Sequence, residues 1–476
     1  GIDFYAHTRN PDDPDFIGFT ETGGKGVSIT TYNDGNYIEG MLVEGCSFSY
    51  YRTNMVVQGD VSDVVIRRNV LFNAYSTNSH AQGIYASNVD NLLITENVFD
   101  HNGWLRQSES NDQSEGGATF HNHNIYTGGI QNGVYSKNII MRASSIGTKL
   151  QGSSGISGMV VDDNLYIDGE IGIESCNNYH NYHYRVHDPI VQNNIFYELG
   201  LSNPTIRNVG WGMWIQGWDG GIIRNNIHLG QRGQFFLRLG ERSRDIEVAN
   251  NIGILHNMRS IYQDSSVDQT GINIHDNYFE GLSSDTFRHI LSQDSSFDGI
   301  SLSNNTYYSS GISDFEIDHI SYNFAEWQSN YEANAKSEKR DFPDETRDPL
   351  SYLTSIGETA SLDVFIEKVK AQDRYAWDTR FTAPVINDWI RAGFGTSPIQ
   401  TTLIRADVNQ DSSINFLDAA LVLKKAMNMN MNGSSWKESA TSGDLNCDGT
   451  RDMRDVLLIF RYLLNLDMQD TAWCVE

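Results

Sequence analysis

Residues 64–72 read VVIRRNVLF and residues 92–100 read LLITENVFD, which are two copies of one pattern. Each copy has a short apolar run, two polar residues and an Asn that is followed by a second apolar run. The Asn step recurs at intervals of mostly about 23–32 residues, within the 20–50-residue range typical of stacked repeats. Its positions are Asn69, Asn97, Asn138, Asn164, Asn194, Asn226, Asn251, Asn277 and Asn305, with Cys46 one step earlier in the same context.

This repeat predicts a parallel β-helix over residues 1–325. A second short apolar run lies upstream of each Asn, so one repeat holds three short strands joined by Gly and Asn corners. Each coil then buries its inward side chains on the coils above and below. The Asn suits a corner where left-handed backbone is tolerated, and stacked amides can bond along the axis. The pattern does not fix handedness, and we expect the right-handed form; the alternative is a β-propeller, whose blades need about 40 residues and four strands.

Composition excludes several functions. The chain has 34 Lys and Arg against 61 Asp and Glu, a net charge of −27. A general nucleic-acid binder needs a basic surface, and so does a protein that docks on anionic lipid. No run of 18 apolar residues is present, so the sequence predicts no membrane span. The chain begins at Gly1 like the middle of a coil, so either residues precede it or a neighbouring chain covers this end, which would allow self-association.

The repeat fades after about Gly311, and residues 326–402 read as a helical cap and linker with Trp327 as a packing anchor. Ser361 is placed to cap a helix whose Leu362, Phe365, Ile366 and Val369 share one face. Thr382 is placed to cap a second helix, with Pro384 in its first turn and Gly393 past its end. We interpret these helices as a cap that closes the open end of the β-helix.

The C-terminal segment, residues 403–476, carries two calcium-loop patterns. In both 407–418 and 444–455 the oxygen-bearing residues recur at the spacing that a cation with six or seven oxygen ligands requires. Gly449 lies at the sharp turn of the second loop, and Ser412 replaces it in the first. An apolar helix follows each loop. The sequence therefore predicts two Ca²⁺ sites, with the ligands Asp407, Asn409, Asp411, Ser413, Asn415 and Asp418 in one and Asp444, Asn446, Asp448, Thr450, Asp452 and Asp455 in the other.

The two loops, over about residues 403–466, resemble a type I dockerin. That resemblance implies an extracellular or cell-surface protein with a cohesin-like or other extracellular partner. In the family, positions 10 and 11 of each loop, often Ser-Thr, contact the partner; here they are Phe416-Leu417 and Met453-Arg454. Residues 30–395 resemble the parallel β-helix repeat proteins related to pectate lyases and mannuronan epimerases. Cys447 and Cys474 lie in the same small segment, and the sequence leaves open whether they are bridged; their spacing does not suggest zinc.

One outward column of side chains is a candidate functional surface. If the apolar residues of the upstream strands point inward, the alternate residues point outward. These outward residues include aromatic rings and single charges of both signs. Aromatic rings can stack on sugar rings, and cations can bind carboxylates, so this mixture suits an acidic polysaccharide. Polar segments at 104–120 and 176–188 are expected to overhang this surface. The predicted substrate-binding residues are Tyr85, Glu174, His180, His183, Trp214, Gln216, Trp218 and Tyr262.

A polysaccharide lyase or C5-epimerase needs a group that neutralises the C6 carboxylate, a base and an acid. We predict Lys149 or His123 as the base, Tyr126 as the acid and Arg238 as the carboxylate clamp. A hydrolase would instead need two carboxylates about 5–10 Å apart. Glu174 with Asp219 or Glu241 would supply them, but the chain has no DPHD string.

The competing hypothesis is a non-catalytic, calcium-stabilised rod in an extracellular surface layer, matrix or filament. Trp214 and Trp218 would then simply pack beneath the 176–188 segment. An enzyme predicts a face where the column residues converge with a shifted pKa. A rod predicts the same residues packed on one another, and the sequence leaves the choice open.

Overall fold

The structure, a computed structural model, describes most of the chain. It describes residues 1–476 except 21–22, 32–34, 152–154, 177–185, 231, 233, 265–266, 282–286, 295–296, 310–313, 398–404, 410–413, 415, 433, 437–441, 447, 465, 467, 469–470 and 473–476.

The chain winds as a parallel β-helix with three faces, and faces 1 and 2 belong to one 23-stranded sheet. Two long strands run through both of these faces: β5 (Thr53–Arg67) and β7 (Gln82–Thr95). The other face 1 strands are β2 (Lys25–Thr30), β9 (His123–Gln131), β12 (Ile146–Gln151), β16 (Ile171–Cys176), β20 (Trp211–Ile215), β24 (Phe235–Leu239), β27 (Arg259–Gln263), β30 (Arg288–Ser292) and β33 (Asp314–Ile317). The other face 2 strands are β3 (Ile38–Glu44), β10 (Val134–Ser136), β14 (Val160–Asp162), β18 (Ile190–Gln192), β22 (Ile222–Arg224), β25 (Glu247–Ala249), β28 (Ile272–His275) and β31 (Ile300–Ser303).

Face 3 is a separate 11-stranded sheet. Its strands are β1 (Asp3–Tyr5), β4 (Ser47–Ser49), β6 (Val70–Phe72), β8 (Val98–Asp100), β11 (Ile139–Met141), β15 (Leu165–Ile167), β19 (Ile195–Tyr197), β23 (Ile227–Leu229), β26 (Ile252–His256), β29 (Tyr278–Gly281) and β32 (Thr306–Ser309). Three two-residue strands lie between faces 1 and 2: β13 (Ile156–Ser157), β17 (Val186–His187) and β21 (Trp218–Asp219). The solenoid strands pair in parallel, and β34 (Ile320–Tyr322) is antiparallel to β33. The parallel ladders confirm the β-helix and exclude the propeller, whose blades are antiparallel.

The recurring Asn residues form a hydrogen-bonded ladder inside the corner between faces 2 and 3. The side-chain nitrogen of each Asn donates to the side-chain oxygen of the next, as from Asn97 to Asn138 over 3.0 Å. The ladder begins at the backbone nitrogen of Cys46, which donates to Asn69 over 2.9 Å. The left-handed residue is the one before each Asn, for example Arg68 with φ 53° and Glu96 with φ 54°. The prediction that the Asn itself takes the left-handed backbone is therefore wrong: the residue before it makes the turn, and the Asn side chain makes the ladder.

Among the residues that the structure describes, the α-helices are α1 (Phe324–Asn330), α2 (Pro349–Ser355), α3 (Leu362–Lys370), α4 (Ala383–Gly393), α5 (Phe416–Ala426) and α6 (Met453–Leu463). Ser361 and Thr382 are at the predicted N-cap positions, but neither side chain makes a capping hydrogen bond. Gly393 is the last residue of α4 rather than the residue past its end.

Helices α2 to α4 pack on the flank of the β-helix, not over its end, so our interpretation of a terminal cap is wrong. The outward residues of face 3, such as Val98 and Leu165, form one apolar cluster with Leu353, Phe365 and Ile390. Face 3 strands are apolar on both sides because helices cover the outer side, as is typical of parallel strands buried on both faces. The flank contact also includes Lys370 Nζ, which lies 3.0 Å from Asp100 Oδ2.

The last coil is closed by residues 314–335. Trp327 of α1 is buried and stacks on Phe315, with ring centroids 4.2 Å apart and planes 10° apart. This confirms Trp327 as a packing anchor and places α1, which crosses residue 325, on the β-helix core. At the other end, β3 pairs with β5, and Met41 and Leu42 are exposed. Self-association through that end stays a prediction.

Candidate functional site on face 1

Seven of the predicted residues lie in one column on face 1. The parallel registers join Tyr85 to Tyr126, Tyr126 to Lys149, and Lys149 to Glu174. They continue from Glu174 to Trp214, from Trp214 to Arg238, and from Arg238 to Tyr262. Because side chains alternate along each strand, the predicted column follows directly from the positions of the buried residues.

Two stacked ring pairs occupy the first part of the column. Tyr85 stacks on Tyr126 with centroids 5.5 Å apart and planes 13° apart. His80 stacks on His121 with centroids 5.0 Å apart and planes 9° apart. Rings from successive coils repeat along the solenoid axis, so they present a continuous aromatic surface.

Lys149 forms an ion pair with Glu174 of the next coil. Its Nζ donates to Glu174 Oε1 over 2.7 Å, and both side chains are mostly covered. An ammonium in such a pair donates hydrogen bonds and has no lone pair that accepts a proton. This geometry is suited to stabilising negative charge, and it does not favour Lys149 as the base.

The two histidines that precede Tyr126 have different environments. His123 is buried, its Nδ1 has no hydrogen-bond partner in the described part of the chain, and burial lowers its pKa well below the usual value. The prediction that His123 is the base is therefore wrong, because no bound substrate reaches this ring. His121 is exposed, and partial burial, with His80, Lys149 and Arg207 nearby, lowers its pKa. His121 is thus a neutral imidazole at neutral pH and can accept a proton.

The second part of the column is an aromatic platform around Arg238. The guanidinium lies 4.3 Å from the ring centroid of Trp214 and 4.7 Å from that of Trp211. It also donates from Nε to Asp264 Oδ2 over 2.7 Å. Burial raises the pKa of Asp264, although Arg238 acts in the opposite direction. The predicted clamp is therefore already neutralised by a carboxylate of its own chain.

Sequence reasoning missed three members of this platform. Trp211 and Phe235 pair in register at the starts of β20 and β24, and their centroids are 5.3 Å apart. The Arg259 guanidinium lies 5.1 Å from the centroid of Tyr262. In the sequence, Trp211 and Phe235 could have been found as aromatic residues at the first positions of two successive face 1 strands. Burial raises the pKa of Tyr262, so its hydroxyl stays protonated.

Other predicted contacts are not at this surface. Trp218 is fully buried inside the coils, where its Nε1 donates to Ser175 Oγ over 2.7 Å. Its predicted role in substrate binding is therefore wrong. Gln216 is nearly buried and donates to Glu241 Oε1 over 3.1 Å. His180 and His183 lie outside the described residues.

The carboxylate pairs of the hydrolase hypothesis are engaged elsewhere. Arg244 donates to both oxygens of Asp219 at 2.5 and 2.7 Å. Arg242 Nη1 lies 2.6 Å from Glu241 Oε1, and Lys149 binds Glu174. Each of the three carboxylates of the hydrolase hypothesis therefore binds a cation of the chain. This arrangement does not favour hydrolysis.

The 104–120 loop borders face 1 at His121. Gln107 donates to the carbonyl of Ser202 over 2.6 Å, and the Ser108 nitrogen donates to that of Pro204 over 3.0 Å. Arg207 lies over the ring of Phe120 at 5.5 Å. Two loops that each precede a face 1 strand thus support one another beside the stacked histidines. Most of the 176–188 segment lies outside the described residues.

The second calcium loop has a folded ligand scaffold. Asp455 Oδ1 accepts from the backbone nitrogen of Leu445 over 2.7 Å, and Gly449 takes φ 83° at the turn. Burial raises the pKa of Asp444 to about 6, and its Oδ1 has no hydrogen-bond partner among the described atoms. An unpaired buried carboxylate oxygen fits a cation ligand. The described residues contain no group of three or more His, Cys, Asp or Glu placed together to hold a metal ion.

The first loop is described in part. Asp407 and Asp418 are buried, and the Asn409 nitrogen donates to Asp418 Oδ1 over 3.3 Å. Asp411, Ser413 and Asn415 lie outside the described residues, as do Cys447 and Cys474. The partner-contact positions of both loops are exposed: Phe416 by 60%, Leu417 by 50%, Met453 by 51%, and Arg454 by 64% of the side chain.

These features define a parallel β-helix protein with an aromatic and ion-paired strip along one face and a tail that contains helices α5 and α6. Residues 405–464 match the family described as Dockerin type I domain, so the chain carries a type I dockerin. Such domains bind calcium and have cohesins as partners, and the proteins that carry them are typically extracellular or cell-surface proteins. None of the helices in the described residues is long and apolar enough to cross a membrane.

Three solved structures resemble the chain at low identity. One is the tailspike protein of E. coli bacteriophage HK620 in complex with a pentasaccharide, with TM-score 0.38, 11% identity and coverage of 66% of this chain. The chain spans 58% of the length of that tailspike. The others are a mannuronic acid-specific family 6 polysaccharide lyase from human gut microbiota and the A-module of Azotobacter vinelandii mannuronan C-5 epimerase AlgE6. The lyase has TM-score 0.31 and 13% identity, covering 78% of this chain and 94% of its own. The epimerase has TM-score 0.24 and 9% identity, covering 64% and 92%. No curated protein sequence matches.

Proposed function

We propose that this chain is a secreted protein that binds an acidic polysaccharide along face 1 and acts on it by β-elimination or C5 epimerisation. The observation that carries the proposal is the exposed imidazole of His121, which stacks on His80 and whose pKa Lys149 helps to lower, on the face that also holds Tyr126 and the Lys149–Glu174 pair. A base, an acid and a positive charge are the groups that this chemistry requires.

The residues would divide the reaction as follows. His121 removes the C5 proton, because its ring is neutral and open to solvent. Lys149 stabilises the negative charge that develops on the C6 carboxylate, and Glu174 fixes the position of its ammonium. Tyr126 gives a proton, since the phenol hydroxyl is a donor at neutral pH.

In β-elimination the C5–H electrons form a C4–C5 double bond and the C4–O4 bond breaks. The leaving oxygen takes the proton of Tyr126, and His121 holds the proton from C5. In epimerisation Tyr126 instead protonates C5 on the opposite face, and no bond between sugars breaks. Neither reaction needs an external oxidant or reductant, so both balance with the residues present.

The Arg238 platform supports substrate binding rather than chemistry. Trp211, Trp214 and Tyr262 are apolar on their faces and polar at one edge, which suits the stacking of sugar rings. Arg238 is held between these rings and Asp264, so its role is to fix the platform. A chain with net charge −27 binds a polyanion only where the local charge is positive or a cation bridges the two.

The tail would attach the protein to an extracellular partner. We propose two Ca²⁺ sites in the dockerin, with a cohesin-like partner contacting Phe416-Leu417 and Met453-Arg454. These exposed positions are apolar in three of the four cases. The partner surface should therefore be more apolar than one that recognises Ser-Thr.

The first test is absorbance near 235 nm during incubation with a panel of uronate polysaccharides, with and without calcium. Rising absorbance means an unsaturated product and β-elimination. Incorporation of solvent deuterium at C5 without rising absorbance means epimerisation. His121→Ala and Tyr126→Phe should abolish either signal, whereas Tyr375→Phe at an exposed position outside face 1 should leave it unchanged.

A calcium-stabilised rod is the second candidate function. The observation that favours it is that column residues pack on one another: Lys149 on Glu174, Tyr85 on Tyr126 and Arg238 on Trp214. No rise in absorbance, no deuterium incorporation and no release of reducing ends would contradict the proposed enzymatic function and support the structural rod.

A further inference from the structure

The start of face 1 has a cleft of about 210 Å³ beside the stacked tyrosines. The column positions before Tyr85 are held by Val56 and Ser28, which are short. One face of the Tyr85 ring stacks on Tyr126, and the ring also forms one wall of the cleft, because no large side chain precedes it in the column.

Cations without carboxylate partners surround this cleft. Lys25 and Arg52 line it, and neither forms an ion pair with any described residue. His80 lines it as well, and Glu and Asp are absent from the described residues of its lining. Three other cations on face 1 are each paired with a carboxylate of the chain: Lys149 with Glu174, Arg238 with Asp264 and Arg288 with Glu316.

Arg259 also lacks a carboxylate partner among the described residues, but it lies over the rings of Phe235 and Tyr262 and does not line the cleft. Where a cation and a carboxylate already form a pair, the carboxylate offsets part of the positive charge, so an incoming anion gains less there than at an unpaired cation. At Lys25 and Arg52 an incoming anion meets positive charge that the described residues leave unneutralised. In a protein with 61 acidic residues, such a site favours the binding of a polyanion.

We propose that the cleft is an anion subsite that binds one acidic sugar residue, with the ring on Tyr85 and the carboxylate or sulfate between Lys25 and Arg52. Tyr85 supplies an apolar wall, and Arg52 supplies a planar donor pair that matches a carboxylate or sulfate. The inference rests on the proposed function in taking face 1 as the polysaccharide surface. It adds that the acidic group is recognised at the start of the face and not at Arg238.

The test is calorimetric titration of the full chain with three tetrasaccharides of equal length: an oligogalacturonate, a heparin-derived oligosaccharide and cellotetraose. The double variant Lys25→Ala/Arg52→Ala should weaken binding of an acidic probe about 10-fold or more, because it removes two charge-assisted contacts. The control Lys336→Ala/Arg340→Ala removes the same charge at exposed positions outside face 1 and should leave affinity unchanged. The heparin-derived probe carries carboxylates as well as sulfates, so tighter binding of this probe than of the oligogalacturonate would show that the cleft also accepts sulfate.

Tyr85→Ala should weaken binding of both acidic probes, and a thermal unfolding curve for each variant checks that it is folded. Cellotetraose binding as tightly as the acidic probes, no binding of any probe, or unchanged affinity in the double variant would each overturn the inference. Binding without turnover on long polymers leaves the subsite standing and contradicts the proposed reaction. Turnover of long polymers together with unchanged affinity in the double variant would support the proposed reaction and contradict the subsite.

Discussion

Asn305 Nδ2 donates to Glu332 Oε1 over 2.9 Å, so the last amide of the corner ladder bonds to a carboxylate instead of another amide. The backbone nitrogen of Asn305 donates to the same oxygen over 2.8 Å, and Tyr307 donates its hydroxyl to Oε2 over 2.8 Å. Glu332 is buried and accepts three hydrogen bonds. It ends the ladder without leaving an unpaired donor.

Glu332→Ala should destabilise the β-helix strongly. It leaves three buried donors unpaired, each costing about 1–3 kcal/mol, so the free energy of unfolding should fall by at least about 3 kcal/mol. Glu332→Gln keeps an acceptor for Asn305 and removes a charge whose burial raises the pKa of this carboxyl. Denaturant unfolding should therefore show a much smaller loss for Gln than for Ala. Glu338→Ala, at an exposed position, is the control; equal losses for Ala and Gln would contradict the ladder-end role.

Asp162 should make stability depend on pH. Burial and the neighbouring Asp163 raise the pKa of Asp162 to about 7 in the folded chain, above the unfolded value of 3.8. Its stabilising contribution is therefore full below about pH 4 and is lost as pH rises to about 7. Asp162→Asn should remove this loss, so the variant gains stability over the wild type, by a few kcal/mol, between pH 4 and pH 8. Denaturant curves at several pH values measure the difference, with Asp15→Asn as the exposed control; a constant difference across that range would refute the assignment.

Arg391 joins the flanking helices to the coils. Its guanidinium is buried, pairs with Asp163 Oδ1 and donates to the carbonyl of Asn193 over 2.6 Å. Arg391→Met should lower the free energy of unfolding by about 3–5 kcal/mol, because it leaves Asp163 as an uncompensated buried charge. Limited proteolysis between residues 341 and 396 should become faster.

Adding Asp163→Asn to Arg391→Met should recover much of that loss. Asn tolerates the left-handed backbone of this position, where φ is 53°, and it carries no charge. If the double variant were as unstable as the sum of the two single variants, the ion pair would not be the cause.

Calcium should bind the tail at two sites. In a titration of the full chain, Asp407→Asn and Asp444→Asn should each reduce the stoichiometry from two ions to one. At a calcium concentration of 100 times Kd, binding should stabilise the tail by about 2.7 kcal/mol per site. Asp470→Asn provides a control outside both loops. A stoichiometry of two in both variants would show that these carboxylates are not ligands.

The sequence predicts the face 1 column well because a single rule, alternation on a strand, links each outward residue to an apolar neighbour. Tyr126 points outward because Ile125 points inward, and the register then aligns the coils. The alternation rule does not predict how exposed a side chain is to solvent. His123 and His121 have the same parity, yet one is covered and the other is open to solvent.

The prediction that helices α2 to α4 cap the end of the β-helix is wrong because an amphipathic pattern shows only that a helix has a buried face. It does not show which part of the protein covers that face. The missing partner was visible in the face 3 strands, which are apolar at their first and third positions, as in Ile139 and Met141. A strand with water on one side alternates, so three successive apolar residues indicate cover on both sides. Trp218 was misassigned for a similar reason, since a two-residue strand gives too little pattern to separate inside from outside.

The cover over face 3 limits where this chain could exchange its tail during evolution. Helices α2 to α4 lie in sequence between the last coil and the dockerin, yet they bury Val98, Leu165 and their neighbours along the coil stack. A recombination breakpoint between residues 341 and 393 would strip that cover and leave an apolar stripe prone to aggregation. A breakpoint after Gly395 would preserve it. We therefore expect that a new attachment domain would be joined to this β-helix within the short stretch that follows Gly395.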